Sequence, residues 1–337
     1  MSNLTQNTIG LNAIKELINN LPDYIDPAKA PIPSDAITAL IDKGVIVPDG
    51  TDVRDLAALI SAIETGGGDT DIEDSLIKRT ITEYSNDRVE TIGPYTFANC
   101  RSLTTVNFPV ATLISNSAFY SCYSLTTISF PAAKEIGSYA FANCSSLTTA
   151  SFSAVTEIGS SAFYSCQSLT TANFSAVTRI EDSAFYNCRS LTTISFPAAQ
   201  KIGFYAFCHC SSLTTASFPA AISIYREAFA ICYSLTTVSF PVATFISNSA
   251  FAYCSSLTTV SFPAMTLISN YAFRDCPSLT SFYLLGSYQC RLSNSNVFVG
   301  AGITSSTGTI YVPASLLTSY QTATNWAYFS TRFVAGD

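Results

Sequence analysis

The chain has 337 residues, of which 48% are hydrophobic and only 12% are charged, about half of the roughly 25% charged residues of a typical globular protein. This composition excludes disorder driven by charge. The charge is also uneven, since residues 1–91 hold 16 acidic and 7 basic side chains and residues 92–337 hold 7 acidic and 9 basic ones. With no basic patch and no apolar run of about 20 residues, the sequence argues against nucleic-acid binding and against membrane insertion.

Residues 1–65 are predicted to form a small helical N-terminal module. Short amphipathic patterns, separated by prolines, predict helices over Leu11–Asn20, Ser34–Asp42 and Val53–Glu64. The Gly and Asp residues of 66–74 predict a flexible acidic linker. The segment Met1–Gln6 holds neither the basic nor the apolar part of a secretory signal, so we expect no signal peptide and synthesis in the cytoplasm.

Residues 75–91 are predicted to form a half-repeat that caps the segment after it. Ile81-Thr82-Glu83-Tyr84 stands 22 residues before Leu103-Thr104-Thr105-Val106 and matches it in pattern. Arrays of stacked repeats need terminal caps to cover the end of their core. This segment therefore marks the start of a repeat array.

Residues 92–289 consist of nine repeats of 22 residues, without one insertion. An isoleucine begins each repeat, at Ile92, Ile114, Ile136, Ile158, Ile180, Ile202, Ile224, Ile246 and Ile268. One repeat cannot bury its apolar residues alone, whereas stacked copies bury a continuous core. The period therefore predicts a solenoid.

Each repeat predicts a strand after its leucine. In Leu125–Phe130 the alternation turns Ile128 and Phe130 inward and leaves Thr127 and Ser129 outward. A proline or serine then follows the phenylalanine, where a ladder N–H is no longer needed.

The first half of each repeat predicts a second short strand and a turn. The strand is expected around Ile114. The segment Ser117–Cys122 predicts one short helical turn that carries Phe119 and Cys122 inward. After the repeats, residues 290–337 are predicted to cap the other end, with one helix near Ala314–Thr322 and with Trp326.

The pattern I-G-x-x-A-F-x-x-C-x-S-L-T-T-I-x-F-P resembles the BspA-like class of bacterial leucine-rich repeats over Ile92–Gln289. The resemblance implies a leucine-rich repeat solenoid, right-handed and curved, with short parallel strands and short helical turns in a β-rich α/β arrangement. It also implies a role in surface binding or adhesion. Two flanks resemble parts of phage and prophage tail-associated proteins of Gram-positive bacteria. They are Val53–Gly68 and the terminal pattern of Ile310-Tyr311-Val312-Pro313, Tyr320 and Asn325-Trp326.

Nine of the 11 cysteines occupy one repeat position and predict a ladder of buried thiols. They are Cys100, Cys122, Cys144, Cys166, Cys188, Cys210, Cys232, Cys254 and Cys276. Nine thiols cannot all pair, and a reduced ladder suits folding in a cytosol. Because Cys210 belongs to this ladder, Cys208-His209-Cys210 is not predicted to bind zinc, and we expect no metal and no cofactor.

Two surfaces are candidates for ligand contact. The first, the tyrosine edge, lies around the Phe–Cys turn and comprises Tyr120, Tyr123, Tyr164, Gln167, Tyr186, Arg189, Tyr205, Tyr233 and Tyr253. Tyrosine and arginine are common interface anchors, although these side chains could equally shield the coil edges. The second is a hydroxyl face that comprises Thr127, Ser129, Thr149 and Ser151. It suits favourable strand chemistry or contact with sugar or ordered water.

The sequence holds no catalytic constellation. Glu181 and Asp182 are adjacent and point apart, and His209 is the sole histidine. We therefore predict a non-enzymatic binding or adhesion protein that recognises a surface glycan or protein. By resemblance it is a phage or prophage tail component, assembled with tail proteins through its N-terminal module and carried in a virion or displayed at a cell surface. The alternatives are a bacterial surface adhesin that binds host protein, a purely structural spacer, and a hydrolase with an unrecognised carboxylate pair.

Overall fold

A computed structural model of the chain describes residues 82–336. These residues form a parallel β-solenoid of about 12 coils with little helix, as the repeat period predicts. The predicted helical module, the linker and the first residues of the half-repeat lie outside the described residues. The helices within 82–336 are too short to cross a bilayer.

One strand of each coil begins after the leucine of the repeat. These strands define the strand face, which includes the predicted hydroxyl face, and the strand predicted within Leu125–Phe130 is confirmed as β5. They are β1 (Glu83–Ser85), β3 (Thr105–Asn107), β5 (Thr127–Ser129), β7 (Thr149–Ser151), β9 (Thr171–Asn173), β11 (Thr193–Ser195), β13 (Thr215–Ser217), β15 (Thr237–Ser239), β17 (Thr259–Ser261), β19 (Ser281–Tyr283), β21 (Thr309–Pro313) and β22 (Phe333–Gly336). Where neighbours pair, they are parallel and in register.

A second strand of each coil ends at the leading isoleucine or its equivalent, which confirms the strand predicted around Ile114. These strands form one sheet of ten, the short-strand sheet, with no interruption along its order. They are β2 (Thr91–Ile92), β4 (Leu113–Ile114), β6 (Glu135–Ile136), β8 (Glu157–Ile158), β10 (Arg179–Ile180), β12 (Lys201–Ile202), β14 (Ser223–Ile224), β16 (Phe245–Ile246), β18 (Leu267–Ile268) and β20 (Arg291–Leu292).

The core consists of side-chain columns that run from coil to coil. The phenylalanine of the Phe–Cys turn stacks on its counterpart in the next coil, and the ring centroids from Phe97 to Phe273 lie 5.1 to 5.3 Å apart. The phenylalanine after each strand forms a second column, edge-on to the first, as between Phe108 and Phe119. Offset and edge-on aromatic packing adds to the free energy gained by burial.

The predicted helical turn at Ser117–Cys122 is wrong, because the backbone there forms successive β-turns. Ser117 and Ser121 have φ angles of 54° and 57°. The amide of Phe119 donates to Ala140 O in the next coil at 2.7 Å, whereas that of Tyr120 donates to Ser117 O within its own coil. A helix would direct its amides inward along its own axis. Here alternate amides are needed to bind the next coil, so no helix forms.

The two ends of the array are covered by side chains and strands. At the start, β1 pairs with β3, and the ring of Tyr84 lies 5.0 Å from Phe97 and 5.2 Å from Phe108. At the other end β20, β21 and β22 extend the ladders beyond the ninth repeat. There the buried indole of Trp326 donates to Cys290 O at 2.7 Å.

The helical segments within residues 82–336 all lie in this terminal region. One is the α-helix α1, and the others are short 3₁₀ turns. Their bounds are Ser295–Phe298, Gly302–Thr304, Ala314–Leu316, Leu317–Thr322 (α1) and Ala327–Arg332. The helix predicted near Ala314–Thr322 thus begins as a 3₁₀ turn and continues as α1.

Candidate functional site

The cysteine ladder is buried, and burial favours the protonated thiol over the thiolate. All 11 cysteines are thiols with buried side chains. In the ladder the Sγ of Cys144 donates to Phe119 O at 3.2 Å and that of Cys166 to Phe141 O at 3.1 Å. Burial raises the pKa of the Cys166 thiol well above its usual value and raises that of Cys276 to about 12. Nucleophilic attack and metal binding both need the thiolate, so the ladder is structural.

The segment Cys208-His209-Cys210 sends its three side chains to different surroundings. Cys210 lies in the ladder, whereas Cys208 packs in a separate small cluster with Ala230 and Ala252. His209 meets the edge of the Tyr186 ring at 5.4 Å. No group of three or more His, Cys, Asp or Glu side chains within residues 82–336 is arranged to hold a metal ion.

The tyrosine edge contains one assembled aromatic row. Tyr164 and Tyr186, in neighbouring coils, stack with centroids 5.0 Å apart and planes 7° apart, and His209 adds a third ring. Tyr186 also packs against the cluster around Cys208, which fixes the row from below. Burial raises the pKa of the Tyr186 hydroxyl, so this group stays protonated as a donor at neutral pH.

The other members of the tyrosine edge are spread over several coils and several positions of the turn. Tyr120 comes directly after the turn phenylalanine, and Tyr205 comes two residues before it. Tyr253 comes directly before the cysteine. The residues directly after the cysteine are Tyr123, Gln167, Arg189 and Tyr233. Several bind locally to arginine. The guanidinium groups of Arg101, Arg226 and Arg274 lie 5.6 to 5.8 Å from the rings of Tyr123, Tyr205 and Tyr253. The structure therefore brings together Tyr164, Tyr186 and His209 but not all nine predicted residues.

The hydroxyl face lies at the surface of the solenoid. Thr127, Thr149 and Ser151 are exposed and Ser129 is half-buried. In the part of the chain that the structure describes, the hydroxyls of Ser129, Thr149 and Ser151 make no side-chain hydrogen bond. The outward direction predicted for these residues is therefore confirmed, but the hydroxyl bonding expected of them belongs to other threonines.

In four coils those bonds are made by the first threonine of Leu-Thr-Thr, which the sequence analysis did not single out. The hydroxyls of Thr126, Thr170, Thr214 and Thr236 donate to the carbonyl of the equivalent threonine one coil earlier, at 2.9 to 3.1 Å. The strict repetition of a second threonine beside the outward one was the available signal.

The strand face is interrupted at three junctions between coils. Over the described residues β5 does not pair with β7, nor β15 with β17, and β9 pairs with β11 only through Asn173 and Ser195. At these junctions the amides of Thr148, Thr192 and Thr258 lack the bond to the preceding coil that their counterparts make. Those counterparts are Thr126, Thr170, Thr214, Thr236 and Thr280.

The aromatic spacing changes at the same three junctions. The strand-side rings of Phe130–Phe152, Phe174–Phe196 and Phe240–Phe262 lie 6.2, 5.8 and 6.4 Å apart. At the intact junctions the equivalent separations are 5.4 to 5.5 Å. The core is therefore looser where the strand bonds are missing.

The charged residues of the repeats mostly bind one another. Glu181 accepts from Arg179 at 2.6 Å and from Lys201 at 2.8 Å, and Arg179 also lies 3.5 Å from Glu157. Burial alone would raise the pKa of Glu181, but its hydrogen bonds with Lys201 and Arg179 outweigh burial and hold it below its usual value. Glu181 is thus a stable carboxylate in an ion ladder. Its neighbour Asp182 accepts from the amide of Phe204, so the two do not converge on a substrate.

One pair of carboxylates does occupy neighbouring coils. Glu135 and Glu157 are in register on β6 and β8 and line a depression of about 650 Å³ with Gly137 and Gly159. Both glutamates are exposed and Glu157 faces Arg179. A carboxyl group that acts as a general acid at neutral pH commonly needs burial in an apolar pocket, and neither of these exposed glutamates is buried.

These features define a leucine-rich repeat solenoid with a structural core and candidate contact surfaces on its outside. The model of the BspA-type leucine-rich repeat region matches residues 78–192 and 178–301. The chain therefore belongs to the BspA-type leucine-rich repeat family, whose fold is typical of non-enzymatic binding proteins. No curated protein matches the chain.

Solved structures with a similar course come from several bacteria. A leucine-rich cell surface protein of Faecalibacterium prausnitzii is 23% identical, covers 74% of this chain and 82% of its own, and gives a TM-score of 0.40. A leucine-rich repeat protein of Eubacterium ventriosum is 19% identical, and the alignment covers 66% of this chain and 84% of that protein, with a TM-score of 0.42. An internalin of Listeria monocytogenes is 15% identical, and the alignment covers 84% of this chain and 83% of that protein, with a TM-score of 0.36.

Proposed function

We propose that this chain is a non-enzymatic binding protein whose solenoid recognises a surface ligand as part of a phage or prophage tail. The observation that carries the binding role is the row of Tyr164, Tyr186 and His209. Its rings are fixed by stacking at 5.0 and 5.4 Å on a base of buried residues. Rigid aromatic groups lose little conformational entropy on binding and are frequent hot spots.

The charge distribution supports recognition by aromatic and polar groups. Glu157, Arg179, Glu181 and Lys201 satisfy one another within their own ladder. Next to the aromatic row, Arg189 donates to the Asn187 side chain at 2.7 Å and is exposed. The row therefore offers flat apolar area beside a single cation, which suits a glycan or a tyrosine-rich protein surface.

The tail setting rests on the resemblance of the two flanks. The N-terminal one, Val53–Gly68, lies outside the described residues. In the C-terminal one, Ile310 and Val312 lie buried on β21, and Tyr320 and Trp326 meet edge-on at 5.5 Å. We assign the N-terminal module to attachment to tail proteins and the solenoid to the ligand.

The binding role is tested with the full chain on glycan and protein arrays. We expect Tyr164→Ala and Tyr186→Ala each to weaken the best ligand about tenfold, since each truncates an anchor of the row. Tyr139→Ala is the matched control, because Tyr139 is an exposed tyrosine outside the row. Equal binding by all three variants would remove the row as the binding site, and absence of any ligand would favour a spacer.

The tail role is tested on particles released from a producing strain. Mass spectrometry of purified tails should detect the chain in a fixed ratio to the tail-tube protein. Its absence from particles, together with its presence on intact cells, would favour the cell-surface adhesin instead.

A further inference from the structure

The middle of the short-strand sheet is divided into an acidic half and a basic half. The first residues of four consecutive strands are Glu135 on β6, Glu157 on β8, Arg179 on β10 and Lys201 on β12. They are in register from strand to strand, and all are exposed except Lys201, which is half-buried. The surface row therefore has the order acid, acid, base, base.

The size of the side chains on this face is divided in the same way. On the acidic half, Gly137, Ser138 and Gly159 line the depression of about 650 Å³ together with the two glutamates. On the basic half, the positions just after the leading isoleucines of β12 and β14 include Phe204 and Tyr225, whose rings meet edge-on at 5.4 Å. Phe204 is 42% exposed. A recess on one half thus corresponds to a bulky aromatic pair on the other.

We propose that two copies of this chain associate face to face through the middle of the short-strand sheet. The interface is isologous, with a two-fold axis that runs parallel to the strands and lies between β8 and β10. Rotation about this axis places β6 opposite β12 of the second copy and β8 opposite β10. Each position along a strand then faces the equivalent position, and every contact occurs twice.

This rotation brings opposite charges together. Glu135 faces Lys201 of the second copy, and Glu157 faces Arg179. Glu135 makes no ion pair within residues 82–336, so it gains a countercharge on association. A two-fold axis along the stack of coils would instead place Glu135 on Glu135 and Lys201 on Lys201, and like charges across an interface cost free energy. The charge order therefore favours one arrangement.

The same rotation places large residues opposite small ones. Phe204 faces Ser138, Tyr225 faces Ser115, and Glu181 faces Gly159. Ser115, Ser138 and Gly159 all line the depression, so the aromatic pair of one copy enters the recess of the other. Shape complementarity and buried aromatic anchors are features of specific interfaces.

A second copy suits this face better than an unrelated protein does. An occupant must carry two bases, two acids and an aromatic pair in reversed order, and a second copy carries them on the same face. The inference goes beyond the proposed ligand binding. Tyr164, Tyr186 and His209 do not belong to the short-strand sheet, so loss of self-association and loss of ligand binding are separate outcomes.

The first test is sedimentation velocity of the full chain at concentrations up to about 100 µM. The parent should form a dimer. Glu135→Lys places a lysine opposite Lys201 twice and should weaken the dimer at least about tenfold. Glu83→Lys is the matched control, because Glu83 is an exposed glutamate on β1 of the strand face. This control should dimerise as the parent does.

Mixing two variants tests the two-fold arrangement itself. Lys201→Glu should also weaken the dimer when it is alone. An equal mixture of Glu135→Lys and Lys201→Glu should restore dimerisation, because both contacts in the mixed dimer again join a lysine to a glutamate. Carbodiimide crosslinking of unlabelled with isotope-labelled parent should join Lys201 to Glu135 in peptides of mixed label. Within one chain these residues lie three strands apart, roughly 14 Å.

Two further variants test the recess without changing charge. Ser138→Trp fills the recess and should abolish the dimer, and Phe204→Ala should weaken it about tenfold. Tyr288→Ala, at an 81% exposed tyrosine outside this face, should have no effect. If Lys201→Glu fails to fold because it loses its bond to Glu181, these variants and Glu135→Lys decide.

Three results would overturn the proposal. The first is a parent that stays monomeric at the highest concentration. The second is a dimer that forms equally well in Glu135→Lys and Ser138→Trp, which would place self-association on another face. The third is a mixture of two folded charge variants that does not dimerise. Thermal unfolding of each variant confirms that the compared chains are folded.

Discussion

The turn side and the strand face come from the same 22 residues, yet they hold neighbouring coils together very differently. On the turn side, amides such as those of Ser117, Phe119 and Ser121 donate to the next coil, and the stacked rings keep a spacing of 5.1 to 5.3 Å. On the strand face three junctions lose some or all of their strand pairing, and the ring spacing rises to as much as 6.4 Å. One side is a continuous spine, and the other is divided into blocks.

The difference determines how firmly each candidate surface is held in place. The continuous spine can anchor the aromatic row of Tyr164 and Tyr186 because those residues lie beside the turn phenylalanines Phe163 and Phe185. On the strand face, the exposed side chains of Thr149, Ser151 and Asn173 make no hydrogen bond within residues 82–336, although β7 and β9 are fully paired. Five measurements test this contrast.

Removing a ring from the spine should have the largest effect. Phe185→Ala removes a fully buried ring that stacks at 5.2 Å on both sides, so it should cost about 3–5 kcal/mol of unfolding free energy. Phe174→Ala, the matched strand-side variant beside an interrupted junction, should cost less because its cavity can collapse more easily. Urea unfolding measures both. An equal or greater loss for Phe174→Ala would contradict a looser strand side.

Alkaline pH should have the next largest effect on stability, because it favours ionisation of several buried thiols of the spine at once. Burial raises the pKa of the thiols of Cys166 and Cys210 above their value of 9.0 in the unfolded chain. Their contribution to stability is therefore complete below pH 9 and is lost as the pH rises toward the folded pKa. The thermal midpoint of the parent should fall from pH 9 upward. The midpoint of Cys188→Ala should fall less steeply, because this variant lacks one of the buried thiols. Rapid reaction of several thiols with a thiol reagent at pH 8 would show that the thiols of the ladder are accessible to solvent, and would contradict their burial.

A methyl group at a close backbone contact should be less damaging but still measurable. A Cβ on Gly203 would lie 2.7 Å from the amide nitrogen of Asp182, whereas one on Gly93 would meet only the Thr96 hydroxyl at 3.2 Å. Gly203→Ala should therefore destabilise the chain by about 1–3 kcal/mol, and Gly93→Ala should change stability little. Similar losses for both variants would mean that the coils of the short-strand sheet are less closely packed than the structure has them.

The smallest effect should come from single hydroxyls of the strand face. Thr170 donates to Thr148 O at an intact junction, and Thr192 makes no such bond at an interrupted one. Thr170→Val should cost about 1 kcal/mol, while Thr192→Val should be nearly neutral. Thermal unfolding of the two variants side by side gives the answer, and a larger loss for Thr192→Val would reverse the assignment of the junctions.

Much of the fold follows from the sequence because the period is strict and the alternation is local. The strand within Leu125–Phe130, the buried cysteine ladder and the solenoid all follow from residue spacing. The turn does not, because its positive φ angles occur at Ser117, Tyr139 and Ile231, and none of these is the glycine that usually marks such a backbone. The propensity for a helical turn was therefore misleading, since the bonds between coils determine the conformation.

The candidate surfaces were predictable only as lists of residues. Stacking of Tyr164 on Tyr186 depends on the offset between neighbouring coils, and the position of His209 depends on the turn conformation. The Leu-Thr-Thr segment gives no signal for the interruptions, since Thr170 and Thr192 stand in the same context, but at two of the three the coil with Ser153 or Ser175 meets a coil with proline at that position.

Amide hydrogen exchange of the full chain tests the contrast between the two sides most directly. The amides of Thr148, Thr192 and Thr258 should exchange quickly, whereas those of Thr170, Thr214 and Thr280 should be protected, as should the turn-side amides of Phe163 and Phe185. All six threonines follow Ser-Leu, so their intrinsic exchange rates nearly cancel. Equal protection of the two threonine sets would contradict the divided strand face.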